Sequence, residues 1–451
     1  MGSQDNMNSS SPLVVKKSQV VIVKPSKATP DVSLSLSTLD NDPYIERHAK
    51  TIYVYAPPSP NDVHHDPASL FQKALSDVIV YYYPLAGVLH RRSHDDRLEL
   101  TCTPADGVPF VKATVDCTLS SLNYLEGMDS GALDQLVHCD LAVTSGGSIP
   151  LALQITLFAC GGFTLGTALS HSLCDGFGAS QFFKALTELA AGKTQPSIIP
   201  VWDRHCLTLK DFKGQVEEEQ APKLVDFVEA CSSAATSPYT PSNDMVCEIF
   251  NVTSEEITQL KKKVTEEVTT LEILAAYVWR ARCRALKLSP DGTTLFGMTV
   301  GIRRIMDPPL REGYYGNAFV KANVAMKAGE LSESPLSHIV KLIKEAKRAA
   351  LDKKYVYEEL KDTERTLKMK IACQGGNGAF TLITDWRQLG MLDEVDFGYG
   401  GTKNIIPLMP TFLSDICIFM PRKQGGVRVL VTFPKPAMDN LKEQHFNPLS
   451  F

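Results

Sequence analysis

Apolar positions change their period repeatedly along this chain. After a polar stretch over residues 1–12, positions 14–23 are rich in β-branched residues, and 33–39 runs into the turn-forming Asp40-Asn41-Asp42-Pro43. Asp66-Pro67 places a capping residue before a proline suited to the first helical position. Leu70, Phe71, Ala74, Leu75 and Val78 then follow at helical spacing, until Pro84 and Gly87 close the segment. Two apolar runs, 151–159 and 163–169, flank Gly161-Gly162 and predict a hairpin or closely packed strands. A short polar segment, 171–176, leads at once into a helix over 179–191, with Phe182, Phe183, Leu186 and Leu189 on its buried side.

The second half repeats the alternation. Thr253-x-x-Glu256 and Thr269-x-x-Glu272 read as capping boxes that open helices. Ser334-Pro335 opens another, with Leu336, Ile339, Val340 and Ile343 on one face. Strand patterns cover 294–300, 416–420 and 427–433. Strands and helices intermixed in both halves predict an α/β fold. At 451 residues the chain exceeds one ordinary core. Residues 208–224 are charged and poor in apolar side chains, so they are expected to link a domain over 1–207 to a domain over 225–451.

Composition narrows the function. Apolar content of 44% and charged content of 22% are those of a globular chain with a sizeable core. A net charge of −5 argues against nucleic acid, which needs a concentrated basic face, while leaving room for a locally basic pocket. Eleven cysteines are scattered without a C-x-x-C pair, the usage of a reducing compartment. No apolar stretch at the start of the chain resembles a secretory leader, and no run of eighteen apolar residues could span a membrane. The expectation is a soluble, cytoplasmic protein.

Of the ten histidines, His64-His65 lacks the H-E-x-x-H pattern of a zinc site and His94 lies in a charged turn, so no metal is expected. His171 differs from the rest. It ends an apolar strand pattern and begins His171-Ser172-Leu173-Cys174-Asp175-Gly176. A strand terminus can present a rigidly held polar group to a ligand, and an imidazole is suited to general-base work near neutral pH. A structural histidine at a strand end is the competing reading. Asp175 either orients the ring or stabilises the bend, and Gly176 and Gly178 would let the chain turn sharply into the helix. Gly192-Lys193-Thr194 lacks the first glycine of a P-loop, since position 187 is Thr187. Neither G-x-S-x-G nor a strand-following G-x-G-x-x-G occurs, so serine-nucleophile and dinucleotide chemistries lose support.

With these residues in place, the chain resembles the plant BAHD acyltransferase family. H-x-x-x-D-G is His171 to Gly176, and D-F-G-W-G is Asp396-Phe397-Gly398-Tyr399-Gly400, with tyrosine in place of tryptophan. Trp279-Arg280 and Pro308-Pro309-Leu310, leading to Gly313-Tyr314-Tyr315-Gly316-Asn317, add to the match. Ser37-Thr38-Leu39-Asp40-Asn41-Asp42-Pro43, the run 159–164 and Thr384-Asp385-Trp386-Arg387 resemble a narrower group, the spermidine hydroxycinnamoyl transferases. A peptide-synthesis condensation domain shares H-x-x-x-D-G but carries a preceding histidine where this chain has Ser170.

The resemblance implies two chloramphenicol-acetyltransferase-like α/β domains with a channel between them. It implies acyl-CoA as co-substrate, no permanently bound cofactor, and an aromatic acyl group moved onto an amine such as a polyamine. The other readings are O-acylation of a specialised-metabolite alcohol and a non-catalytic small-molecule binder on the same scaffold. His171 would be the base, Asp175 would pair with Arg303, and the loop 396–400 would shape the fold and the CoA side. Thr384 is a candidate oxyanion donor or an ordinary strand threonine. Asp385 meets either the amine or Arg387, and Trp386 falls on the same acceptor-side segment. Lys261, Lys262, Arg280 and Arg284 are candidates for the CoA phosphates, against the plainer reading of solvated helix faces. The chain is expected to work as a monomer.

Overall fold

The computed structural model describes residues 13–57, 66–141, 146–212, 225, 227–242, 244–369, 378–390, 396–397, 399, 401–409 and 415–444. Strands of the first half are β1 (Lys16–Lys17), β2 (Val21–Val23), β3 (Val32–Ser35), β4 (His48–Tyr55), β5 (Val88–Arg91), β6 (Leu98–Cys102), β7 (Val108–Val115), β8 (Leu151–Phe158) and β9 (Phe163–Ser170). The second half supplies β10 (Met245–Val252), β11 (Thr293–Gly301), β12 (Phe319–Lys327), β13 (Phe380–Asp385), β14 (Thr402–Leu408), β15 (Ile416–Pro421) and β16 (Val427–Pro434). A seven-stranded sheet runs β1-β7-β8-β9-β4-β14, with β2 also on β7; a six-stranded sheet runs β10-β16-β15-β13-β11-β12. The strands β3-β6-β5 form a small separate sheet. Helices interleave with strands in both halves, as expected for α/β.

Local chemistry sets several elements. Asp66 accepts the Ser69 amide to cap the helix Pro67–Val78, and Thr253 and Thr269 close full capping boxes on their helices. Such a cap contributes about 1 kcal/mol by satisfying amides that the helix cannot. The apolar runs around Gly161 pair antiparallel as β8 and β9, which lie in the middle of their sheet. Every residue of β9 is buried, which explains its unbroken apolar pattern.

The two halves interpenetrate. β14 lies in the C-terminal half of the sequence but pairs antiparallel with β4 of the first sheet, burying Ile405, Ile406 and Leu408. Just before it, Phe397 packs 4.0 Å from Phe71, and Tyr399 meets Phe163 edge-on at 4.9 Å. At the start of the charged segment 208–224, the short helix Leu209–Phe212 belongs to the second core, where Phe212 is fully buried. Residues 213–224 lie outside the described residues.

Candidate active site

β9 runs between β8 and β4, and His171 is the residue that follows its last position. Its amide donates to the Arg47 carbonyl at 2.8 Å, extending the ladder one step past the strand. The ring is half-buried and faces the second half of the molecule, with the Phe319 ring 6.2 Å away at the start of β12. Its Nδ1 edge is sealed from solvent. Burial and the neighbouring Arg47 charge push the His171 pKa below its ordinary value, against weaker opposing effects from its own carbonyl, Asp175 and Asn317. The imidazole is therefore neutral at neutral pH, the form that accepts a proton.

Asp175 caps the helix Gly176–Ala190 by accepting the Gly178 amide at 2.9 Å. It also accepts both ends of the Arg303 guanidinium, each at 2.8 Å, and the Ala318 amide at 3.1 Å. Burial opposes its charge, but Arg303 and these amides outweigh burial and hold the carboxyl below its usual range. Arg303 further donates to the Gly316 carbonyl at 2.8 Å and lies over the Phe177 ring. The His171–Gly178 turn is thus clamped to the segment 303–318.

The glycines of that turn serve packing. Neither Gly176 nor Gly178 has a positive φ, so the expected sharp turn does not account for them. A Cβ on Gly178 would sit 1.9 Å from the Tyr315 carbonyl oxygen, and one on Gly176 would sit 2.6 Å from a Leu389 methyl. Close approach of the two halves requires the missing side chains.

Two residues that motif reasoning left without a role stand behind His171, one holding the other. Asn317 donates its amide NH2 to the His171 carbonyl and to Asp40, both at 2.8 Å. Asp40 is fully buried and also takes Arg204 at 3.3 Å. Both lie in stretches quoted above for their resemblance, 37–43 and 313–317, yet no periodicity marks them. Nothing in the sequence sets them apart from their neighbours, since a polar residue is ordinary in both stretches.

The remaining candidates divide. Thr384 and Asp385 end β13, paired in parallel with Ile418 and Phe419 of β15. Asp385 accepts Arg387 at 2.8 and 2.6 Å, so of its two partners it has the arginine. Trp386 donates its amide to the Phe419 carbonyl and packs against the first core and a small cluster around Ile418. Among the described residues, no hydrogen bond joins 384–386 to His171. Asp396 accepts the Tyr399 amide at 3.1 Å; Gly398 and Gly400 lie outside the described residues. Lys261 and Lys262 stand in the last turn of the helix Ser254–Lys262. Arg280 and Arg284 are committed to the carbonyls of Ser334 and Ser332, at the end of the helix Ala328–Glu333, which gives them a structural occupation.

Comparison with known proteins places this geometry. A model of the transferase family matches residues 13–447. A spermidine sinapoyl-CoA acyltransferase of Arabidopsis thaliana is 42% identical over 97% of this chain and 98% of its own length. A spermidine coumaroyl-CoA acyltransferase of the same plant is 42% identical over 96% and 95%. A 3'-N-debenzoyl-2'-deoxytaxol N-benzoyltransferase of Taxus canadensis is 31% identical over 94% and 93%. Among solved structures, vinorine synthase superposes with a TM-score of 0.73 at 23% identity, covering 95% of this chain and 96% of that one. F. graminearum TRI101, complexed with coenzyme A and T-2 mycotoxin, gives 0.68 at 14% identity over 93% and 98%. At those identities the two structures speak for the fold, which is the two-domain chloramphenicol-acetyltransferase type.

Proposed function

The chain belongs to the BAHD transferase family, and from that membership we propose that it moves a hydroxycinnamoyl-type acyl group from CoA onto an amine of a polyamine such as spermidine, with His171 as general base. The chain is an acyl-CoA-dependent acyltransferase. One observation carries the choice of acceptor. Two spermidine acyltransferases match at 42% over nearly the whole chain, whereas taxane N- and O-acyltransferases match at 31%.

The chemistry follows from the acceptor. An aliphatic amine with a pKa near about 10.4 is mostly protonated at neutral pH, so the neutral form must be selected before attack. Its nitrogen then adds to the thioester carbonyl, and His171 takes the proton released as the C–N bond forms, from about 3 Å. The tetrahedral oxyanion collapses, the C–S bond breaks, and the thiolate leaves and recovers that proton. No enzyme-bound acyl group is needed, so both substrates bind together. Thr384 is the proposed hydroxyl donor to the oxyanion, and Lys261 and Lys262 are the proposed contacts for the CoA phosphates. Both halves of one chain surround His171, which supports action as a monomer. The scattered cysteines support a cytoplasmic setting.

The test is a screen of acyl-CoAs against polyamines and alcohols, with His171→Ala as control. Turnover is expected with a hydroxycinnamoyl-CoA and spermidine, reduced about 10²- to 10⁴-fold by the substitution. Turnover restricted to alcohols would establish ester formation instead, and none with any pair would leave a binding protein.

A further inference from the structure

We propose that Arg47 selects the protonation state of the acceptor: its guanidinium charge, set beside His171, admits the reacting nitrogen only in its uncharged form. The inference rests on His171 being the base and on an amine being the acceptor.

The geometry is that of a cross-strand pair. β4 and β9 run antiparallel, with Ala49 opposite Leu169 and His48 opposite Ser170. One step further the Arg47 carbonyl accepts the His171 amide at 2.8 Å, so Arg47 stands opposite His171. Residues opposite each other point to the same face of a sheet, with Cβ atoms about 4.5–5.5 Å apart. The alternation along both strands fixes that face. Tyr53, Tyr55, Phe163, Leu165 and Leu169 pack into one core, while Ile52, Val54 and Ala168 pack into another. Arg47 and His171 continue the first row.

Arg47 differs from the other arginines of this region. Arg303 is engaged by Asp175, Arg204 by Asp40 and Arg387 by Asp385. Among the described residues, no hydrogen bond reaches the half-buried Arg47 side chain. The carboxylate that acts on it is Asp42, already held by Lys321 at 3.0 Å, and Lys321 stands 3.5 Å from Glu359 as well. Glu46 is paired with Arg91, and His48 lies on the opposite face with Nε2 on the Ile149 carbonyl. The guanidinium stays charged at any pH at which an enzyme works, so this cation is only partly compensated.

Its effect follows from the reaction. The reactive complex needs two unprotonated groups side by side, amine and imidazole, and a neighbouring positive charge favours that state over any protonated one. A nitrogen about 3 Å from the His171 ring lies roughly 6–8 Å from a side chain one strand spacing away, where one charge moves an ionisation by about one to two pH units. The ammonium gives its proton to water as it enters, and the amine that remains attacks. The same charge helps to keep His171 neutral.

The test is the pH dependence of kcat, with spermidine and a hydroxycinnamoyl-CoA both saturating, in wild type, Arg47→Gln and Arg47→Lys. kcat reports the ionisations of the bound complex, the amine included, whereas kcat/KM reports those of the free enzyme. In Arg47→Gln the acid limb of kcat should rise by about one to two pH units, to above neutral. At pH 7 its kcat should fall at least fivefold, then return to within twofold of wild type at alkaline pH, where the amine is uncharged without help. That return, in the same protein, also shows that the variant is folded. Arg47→Lys restores the charge and should bring the limb back toward its wild-type position. A limb that stays in place, or rises no further than the ordinary histidine value of about 6.5, would overturn the proposal, because Arg47 would then act on His171 alone. A loss of equal size at every pH would overturn it too. Turnover surviving in His171→Ala, or restricted to alcohols, overturns the underlying reading instead, so the two failures are distinguishable.

Discussion

Arg303 holds Asp175 by two parallel hydrogen bonds of 2.8 Å, joining the helix that follows His171 to the loop that follows β11. The pair is largely buried, and the carboxylate has no slack, because the Gly178 and Ala318 amides occupy it as well. Asp175→Ala leaves Arg303 charged and enclosed without its counterion, which costs about 3–5 kcal/mol. Chemical denaturation should show that loss, with the His171 backbone no longer clamped. Because the Asp175 carboxyl is held below its usual range, its stabilising contribution is complete above pH about 3.9 and disappears as pH falls through the lowered folded-state value. A variant as stable as wild type at pH 7 would remove the clamp from the account.

His171 titrates in the opposite sense to a stabilised cation. Burial first, and Arg47 second, push its pKa below the ordinary value near about 6.5. Activity should therefore hold through neutral pH and fall only on the acid side of that value. Replacing Arg47 by Gln removes a repelling charge, so the acid limb of kcat/KM should move upward in pH. A downward shift, or none, would mean that the limb belongs to another group.

Gly178 and Gly176 separate two kinds of crowding. A methyl group on Gly178 meets the backbone of Tyr315 at 1.9 Å, and that backbone is pinned by its neighbours. On Gly176 the obstacle is the flexible end of Leu389 at 2.6 Å. Gly178→Ala should cost about 3 kcal/mol or more, and Gly176→Ala less than about 1 kcal/mol, since a side-chain tip can swing aside. Equal melting temperatures for the two variants would contradict this difference.

How legible the protein was in its sequence depends on the range of the interaction concerned. The β8–β9 hairpin, the Asp66 cap and both capping boxes were readable because each depends on residues a few positions apart. The place of β14 was not. Thr402–Leu408 has an ordinary strand pattern, and nothing local says that its partner is β4, about three hundred and fifty residues earlier. Asp40 and Asn317 were equally silent, since a buried polar pair acquires meaning only when its partners meet. His171 was legible because strand end, polar segment and helix start fall within one short stretch. The glycines were noticed for the wrong reason, as turn formers, because a clash with Tyr315 is invisible until the halves are docked.

Asp385 decides between two ways of recognising a polycation. A lone carboxylate beside the acceptor would attract each protonated amine, but this one is already engaged by Arg387 through both guanidinium and backbone nitrogens. Neutralised in that way, it offers an incoming ammonium group about as much as a partly exposed ion pair does, roughly 0–1 kcal/mol. Asp385→Asn should accordingly change the KM for spermidine by no more than about fivefold, with kcat unchanged within twofold. The substitution also releases Arg387, whose freed charge repels a polycation, so any rise in KM should shrink when Arg387→Gln is added. A hundredfold rise in KM that persists in the double variant would mean that Asp385 leaves its arginine and meets the amine directly.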